Sequence, residues 1–392
     1  MMEKTIIAQK SRLWTADFCL ICLTNTFMFL GFQMFIPTFP LYVEKLGGGE
    51  MAVGLTVGIF SISAILSRPI SGKLLDQGSR RKIFLIGLVI SLVAISGYPL
   101  SVNLFLLLLF RLLHGAGFGM ATTSAGTIVA DLIPPRRLGE GIGYYGLTNT
   151  LSMAFAPAVG LFIIYKYNFT ALFIISAVLA AVALLVSYFI HCPEIIKKAD
   201  TSEKYNYIEP AAIIPSLVML FACMPFGAIT TFISLYSIER GIENIGFFFT
   251  FYAVILFVSR PLSGILADKH GPSKVVFPGM LLMGIAMAVI SMADSYWWFA
   301  VAALIFGMGI GLVMPSLQSL TVKKALPSRR GTAMSTFFLS FDVGIGMGSL
   351  IWGVVSHMVG FSTMYALTII PLAAAFLLYI KYNKTEQVQQ QN

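Results

Sequence analysis

Charge is scarce in this chain, and the scarcity excludes more than any motif does. Only 11% of its 392 residues are charged while 57% are hydrophobic, and the mean hydropathy is +0.86, so there is too little polar surface for soluble domains. The chain reads as a membrane protein. Its apolar runs reach the roughly 20 residues a helix needs to cross a ~30 Å hydrocarbon core, whereas barrel strands would alternate over about ten residues. Cysteine is scarce too. Cys19, Cys22 and Cys223 stand in apolar runs and Cys192 at the end of one, which gives no disulfide framework. Cys19 and Cys22 have the spacing of a redox or zinc pair, but no second ligand pair accompanies them. Nor is there a catalytic triad, a metal-ligating cluster or a phosphate loop, so the expectation is a protein that is not an enzyme and has no metal and no cofactor.

What the sequence does have is a repeat. Ser67-Arg68-Pro69-Ile70-Ser71-Gly72-Lys73-Leu74-Leu75-Asp76 returns 192 residues later as Ser259-Arg260-Pro261-Leu262-Ser263-Gly264-Ile265-Leu266-Ala267-Asp268, with Ser, Arg, Pro, Ser, Gly, Leu and Asp in register. The same offset carries Gly115 onto Gly307, Gly119 onto Gly311, Pro135 onto Pro327, Arg137 onto Arg329 and Gly139 onto Gly331. The chain is two copies of one unit.

Apolar spans are expected at about 14–42, 52–75, 83–100, 104–131, 140–165 and 170–190, and again at 211–238, 245–267, 275–293, 296–322, 331–356 and 361–380. The first lacks a small-residue cleavage site and reads as a retained span. The boundaries are a six-helix bundle over 1–190, a polar linker over 191–210 holding Lys197, Lys198, Asp200, Glu203 and Lys204, and a second six-helix bundle over 211–392. With the N-terminus in the cytoplasm, 20 of the 26 basic residues fall on that side, Lys45, Lys166 and Arg240 fall outside, and Arg68, Arg111 and Arg260 fall within spans. The positive-inside rule therefore predicts a multi-pass protein of the cell membrane with both termini and the linker cytoplasmic. The net charge of +9 is then mostly an insertion signal, and no nucleic-acid partner is expected. Asn168-Phe169-Thr170 is a glycosylation triplet in a very short loop and carries no weight. Gly141-Ile-Gly-Tyr-Tyr-Gly146 spells a dinucleotide fingerprint without the strand that fingerprint requires, so its glycines read as helix-packing positions.

Twelve spans in two repeats joined by a polar linker resemble the major facilitator superfamily. Gly72-Lys-Leu-Leu-Asp76-Gln-Gly-Ser-Arg80-Arg81-Lys82 resembles its signature loop, although Ser79 stands where a glycine is usual and Gly78 comes one place early, while Asp268-Lys-His-Gly271 keeps the usual spacing. The resemblance implies an all-α membrane fold of twelve helices in two six-helix bundles, and a conformational latch made of Gly72, Asp76, Arg80, Arg81, Gly264 and Asp268. By it, Asp76 would face the start of the span near Gly331, and Asp268 the span near Gly139. The plainer alternative is that each aspartate caps its own loop. Arg68 and Arg260, two turns earlier on the same helix faces, are expected to snorkel to the cytoplasmic surface.

Leu107-x-x-x-Arg111-x-x-His114-Gly115-x-Gly117 resembles the superfamily's span-4 motif, whose arginine is associated with proton coupling, with His114 where glutamine is common. An arginine at this depth needs a cavity or a partner. His114 is either a titrating group or a packing residue. Ala156-Pro157-Ala158-Val159-Gly160 resembles the antiporter motif of exporters, with Pro157 and Gly160 letting span 5 bend and pack, and Pro37-Thr-Phe-Pro40 resembles the drug-exporter pattern. Asp342, near the bilayer midplane of span 11, is the candidate proton carrier beside Arg111 and His114, or else a structurally paired carboxylate. Asp17 and Asp131, nearer the cytoplasmic ends, are expected to be solvated or capping. Asn25, Gln33, Asn149 and Gln318 are candidates to line a substrate cavity, though packing would use them equally well.

The function this implies is proton-coupled export of small, amphipathic molecules by a monomer in the bilayer, resembling the twelve-span drug:proton antiporters. Export of a self-made metabolite such as a metallophore, proton-coupled or facilitated nutrient uptake, and a non-transporting membrane sensor are the rivals.

Overall fold

The computed structural model describes residues 12–192, 206–242 and 245–391. Most of the expected linker, with Lys197, Lys198, Asp200, Glu203 and Lys204, lies outside the described residues, as do Lys4 and Lys10. Every long element among the described residues is a helix: α1 (Ala16–Lys45), α2 (Glu50–Gln77), α3 (Arg80–Gly97), α4 (Leu104–Leu132), α5 (Leu138–Lys166), α6 (Phe169–Tyr188), α7 (Ile213–Glu239), α8 (Gly246–His270), α9 (Ser273–Ser291), α10 (Tyr296–Lys324), α11 (Arg330–Leu367) and α12 (Ile369–Gln391).

The ends of these helices follow from local chemistry. Thr15, Asn103 and Asn168 accept hydrogen bonds from Phe18, Leu106 and Ala171 N–H, capping α1, α4 and α6. Asn168 of the glycosylation triplet is thus the cap of α6. Short 3-10 turns at Pro135–Arg137 and Pro327–Arg329, repeat partners in the sequence, introduce α5 and α11. Gly271 ends α8 at φ 87°, a backbone that needs glycine, whereas Gly78 is extended at φ −119° and Ser79 takes the cap of α3, which is how the first copy manages without the usual glycine. Pro327–Thr385 is one run of 59 residues, ~90 Å at 1.5 Å per residue, enough for two crossings. Gly360, at φ 77° and ψ 166°, breaks it where spans 11 and 12 were expected to part, and Pro371 withholds the N–H that would carry the helix on past Thr368.

The chain forms two compact units. One takes in Met1–Pro135, Thr148–Ile208 and Leu326–Ser335; the other takes in Arg136–Leu147, Glu209–Ala325 and Thr336–Asn392. In the first, α4 packs on α2 and α3, and α1 on α6. In the second, α10 packs on α8 and α9, and α7 on α12, which is the sequence repeat in three dimensions. Glycines set the closeness of these crossings. A Cβ on Gly119 would meet the Ala64 carbonyl at 2.6 Å, and one on its counterpart Gly311 would run into Ser259.

Candidate functional site

In the first unit, the end of α2 meets the start of α11. The Asp76 carboxylate accepts from Gly331 N at 2.7 Å, Thr332 N at 2.9 Å and the Thr332 hydroxyl at 2.5 Å. It caps a helix from the other sequence repeat, where orphan N–H groups and the helix dipole favour an anion. The approach requires glycines, because a Cβ on Gly331 would meet Asp76 Oδ1 at 2.6 Å and one on Gly72 would meet the Ser335 side chain at 2.6 Å. Beneath this contact Arg80, 5% exposed, pairs with Asp131 of α4 and donates to the Pro327 carbonyl at 2.6 Å. Arg330 donates to the same Asp131 at 2.9 Å. Asp131 is therefore neither solvated nor a cap: two guanidiniums from distant segments converge on it and bury it. Arg81 turns the other way, donating to the Tyr188 carbonyl with its guanidinium over that ring.

The second unit repeats the arrangement with different charges. Asp268 accepts from Gly139 N at 3.1 Å and Glu140 N at 2.9 Å at the start of α5, and Lys323 reaches it at 2.8 Å. A Cβ on Gly264 would run into the Gly139 backbone. Glu140 is held by a two-pronged contact with Arg137, 2.6 Å on each oxygen. Neither expected snorkelling arginine behaves so. Arg68, 3% exposed, donates to the Thr122 and Thr123 hydroxyls at 3.1 and 3.3 Å, and Arg260 donates to the Gly146 carbonyl. Neighbouring helices supply the acceptors instead.

Deeper in the first unit, Arg111 is 5% exposed, with Nε donating to the Thr56 carbonyl at 3.1 Å and its guanidinium 4.2 and 4.7 Å from the Phe39 and Phe60 ring centres. Cation–π attraction and one carbonyl hold the charge. One turn on, His114 lies with Nδ1 2.7 Å from the hydroxyl of the fully buried Tyr98. Along α1 and α5 runs a polar seam: Asn25 donates to the Thr148 hydroxyl at 2.5 Å and Gln33 to Asn149 Oδ1 at 3.4 Å, leaving the buried Gln33 Oε1 without a hydrogen-bond partner. Two of the four cavity candidates, Gln33 and Asn149, thus meet each other, Asn25 pairs instead with Thr148 on the same two helices, and Gln318 lies buried in α10 of the second unit. Gly160 presses α5 onto α1, where a Cβ would meet the Met34 carbonyl at 2.7 Å, and Pro157 stands one turn before it inside α5. In the second unit Asp342 is half-buried on α11, two residues before Gly344, where a Cβ would come within 3.0 Å of the Cys223 β-carbon on α7.

The Major Facilitator Superfamily profile matches residues 21–244 and again 216–392. The chain belongs to that superfamily. Curated superfamily relatives cover nearly all of it. The staphylopine export protein of Staphylococcus aureus is 25% identical over 87% of this chain and 89% of its own length. The multidrug resistance protein MdtG of Citrobacter koseri is 25% identical over 86% and 87%. Among solved structures, the human organic anion transporter MFSD10 superposes with a TM-score of 0.79 at 18% identity, over 93% of this chain and 98% of that one. A bacterial homologue of the iron transporter ferroportin in its outward-facing state gives 0.78 at 16%, over 95% and 100%. At these identities the structures share the fold: twelve helices in two bundles.

Within that superfamily fold, the residues that sequence reading missed are Asp131, Arg330, Thr332, Lys323 and Tyr98. A signal existed for one pair: the 192-residue offset sets Asp131 against Lys323, so the repeats carry opposite charge at one position beside the signature loops.

Proposed function

We propose that this membrane transporter is a proton-coupled exporter of small, amphipathic molecules that works by alternating access, with Asp76 and Asp268 as conformational latches and Arg111, His114 and Asp342 as the proton-handling groups. The observation that carries the reading is the pair of carboxylate clamps. Each ties the end of a helix in one sequence repeat to the start of a helix in the other, in reach of backbone N–H groups that no second conformation could keep if those helices part. Relatives named for export and for multidrug resistance support the direction. Both clamps lie at the basic ends of their helices, which the positive-inside rule assigns to the cytoplasm.

In this reading Asp342 takes a proton from outside and releases it inside, so Asp342→Asn loses pH-gradient-driven export while binding survives, the neutral amide standing for a carboxyl that cannot cycle. The test is substrate movement in proteoliposomes under an imposed pH gradient, beside binding at fixed pH. If Asp342→Asn protein still concentrates substrate, the proton site lies elsewhere. Saturable substrate-driven proton flux would exclude a non-transporting sensor, and its direction separates export from uptake. A second reading, export of one self-made metabolite such as a metallophore, is favoured by a relative named for exporting a single compound, staphylopine. Competition between that compound and amphipathic dyes separates the two.

A further inference from the structure

We infer that the first unit holds one internal water molecule, bound among Ser91 of α3, His114 of α4 and Ser176 of α6. A small cavity lies where these helices meet α1, lined by Gly31 and Met28 as well as these three residues, with about 10 Å³ open to the centre of a water-sized sphere. One water needs about that much room and two to four polar partners. Ser91 is 3% exposed and Ser176 0%, and neither hydroxyl has a hydrogen-bond partner in the protein. Some buried hydroxyls elsewhere in the chain donate back to the carbonyl one turn earlier, as Thr38, Ser71 and Thr127 do, while those of Ser101, Ser216, Ser319 and Ser335 do not. Ser91 and Ser176 forgo that bond and line a cavity instead.

His114 supplies the third partner. We assign the phenol hydrogen to the 2.7 Å bond with His114 Nδ1, which places the ring hydrogen on Nε2. The water accepts from Nε2–H and donates to the two serine oxygens. It cross-links α3, α4 and α6 and fixes the tautomer of the histidine one turn from Arg111.

Gly31 provides the test. A Cβ there comes no nearer than 3.5 Å to the Ser176 carbonyl oxygen, an ordinary contact, so Gly31→Ala fits and fills the cavity. In a dry cavity the added methyl and the better helix propensity of alanine would both raise the melting temperature in detergent. With a water bound, Gly31→Ala expels it and strands three polar groups, lowering the melting temperature, and the sign reverses in a Ser91→Ala/Ser176→Ala background. A rise in the otherwise unaltered protein, or the same effect in both backgrounds, overturns the proposal. The unmutated protein gives a second readout: a map that resolves internal waters should show a peak within hydrogen-bond distance of Ser91 Oγ, Ser176 Oγ and His114 Nε2. A map with other internal waters and none here also overturns it.

Discussion

Replacing Asp76 by asparagine removes the charge and half the acceptor capacity of the first clamp while keeping its shape. Of the three bonds the carboxylate accepts, an Asn carbonyl placed at the Oδ2 position can keep the two from Thr332, while its NH2 group then faces the Gly331 N–H. Charge-assisted hydrogen bonds are worth roughly 1.5–3 kcal/mol and an anion at a helix start roughly 0.3–1, but water recovers part of that when the clamp opens, so a net loss of about 2 kcal/mol is expected. At 1.4 kcal/mol per tenfold, the ratio of open to clamped molecules rises about 30-fold. Spin labels at Lys82 and Leu326, both exposed and in the first unit, report it in a cysteine-free background. Asp76→Asn should move the label distances to a longer population without reducing insertion. An unchanged distribution, with substrate and without, would leave Asp76 as a cap with no part in conformational choice.

Asp131→Asn strands Arg80 and Arg330 without a carboxylate, and breaking a buried pair costs ~3–5 kcal/mol, so thermal unfolding in detergent should fall steeply; a marginal change would show the two guanidiniums to be hydrated. Gly264→Ala drives a methyl into the Gly139 backbone, prising the start of α5 from Asp268, and should abolish transport in protein that still inserts; normal transport refutes the need for that approach. Arg111→Lys keeps a cation over Phe39 and Phe60 but loses the Nε bond to Thr56, so it should retain more transport and stability than Arg111→Ala; equal loss would mean that the guanidinium shape alone matters.

The spans and the repeat were legible because hydropathy and a fixed offset are local or periodic signals, and they placed Gly360 in the gap between the last two spans. The approach of Gly331 to Asp76 was reachable only through a family resemblance. Asp131 was misread for a physical reason. A carboxylate near a helix end looks solvated until its partners arrive, and these come from Arg80 and Arg330, one on the next helix back and one in the other repeat. Arg68 failed likewise: its length invites snorkelling, but the Thr122 and Thr123 hydroxyls take its hydrogen bonds. The pairing of Gln33 with Asn149 depends on how α1 and α5 are rotated, which side-chain polarity does not encode.

The opposite charges at Asp131 and Lys323 bear on how such a chain could be rebuilt. Arg330, which helps neutralise Asp131, corresponds by the offset to Leu138, and Arg80 corresponds to Pro272. A chain made of two first halves would put leucine where Arg330 stands and leave each Asp131 with a single guanidinium. One made of two second halves would keep Lys323 on Asp268 but lack Arg80. The second half therefore carries a charge that the first half's clamp is missing, and co-expressed halves should assemble as unlike pairs in preference to pairs of first halves.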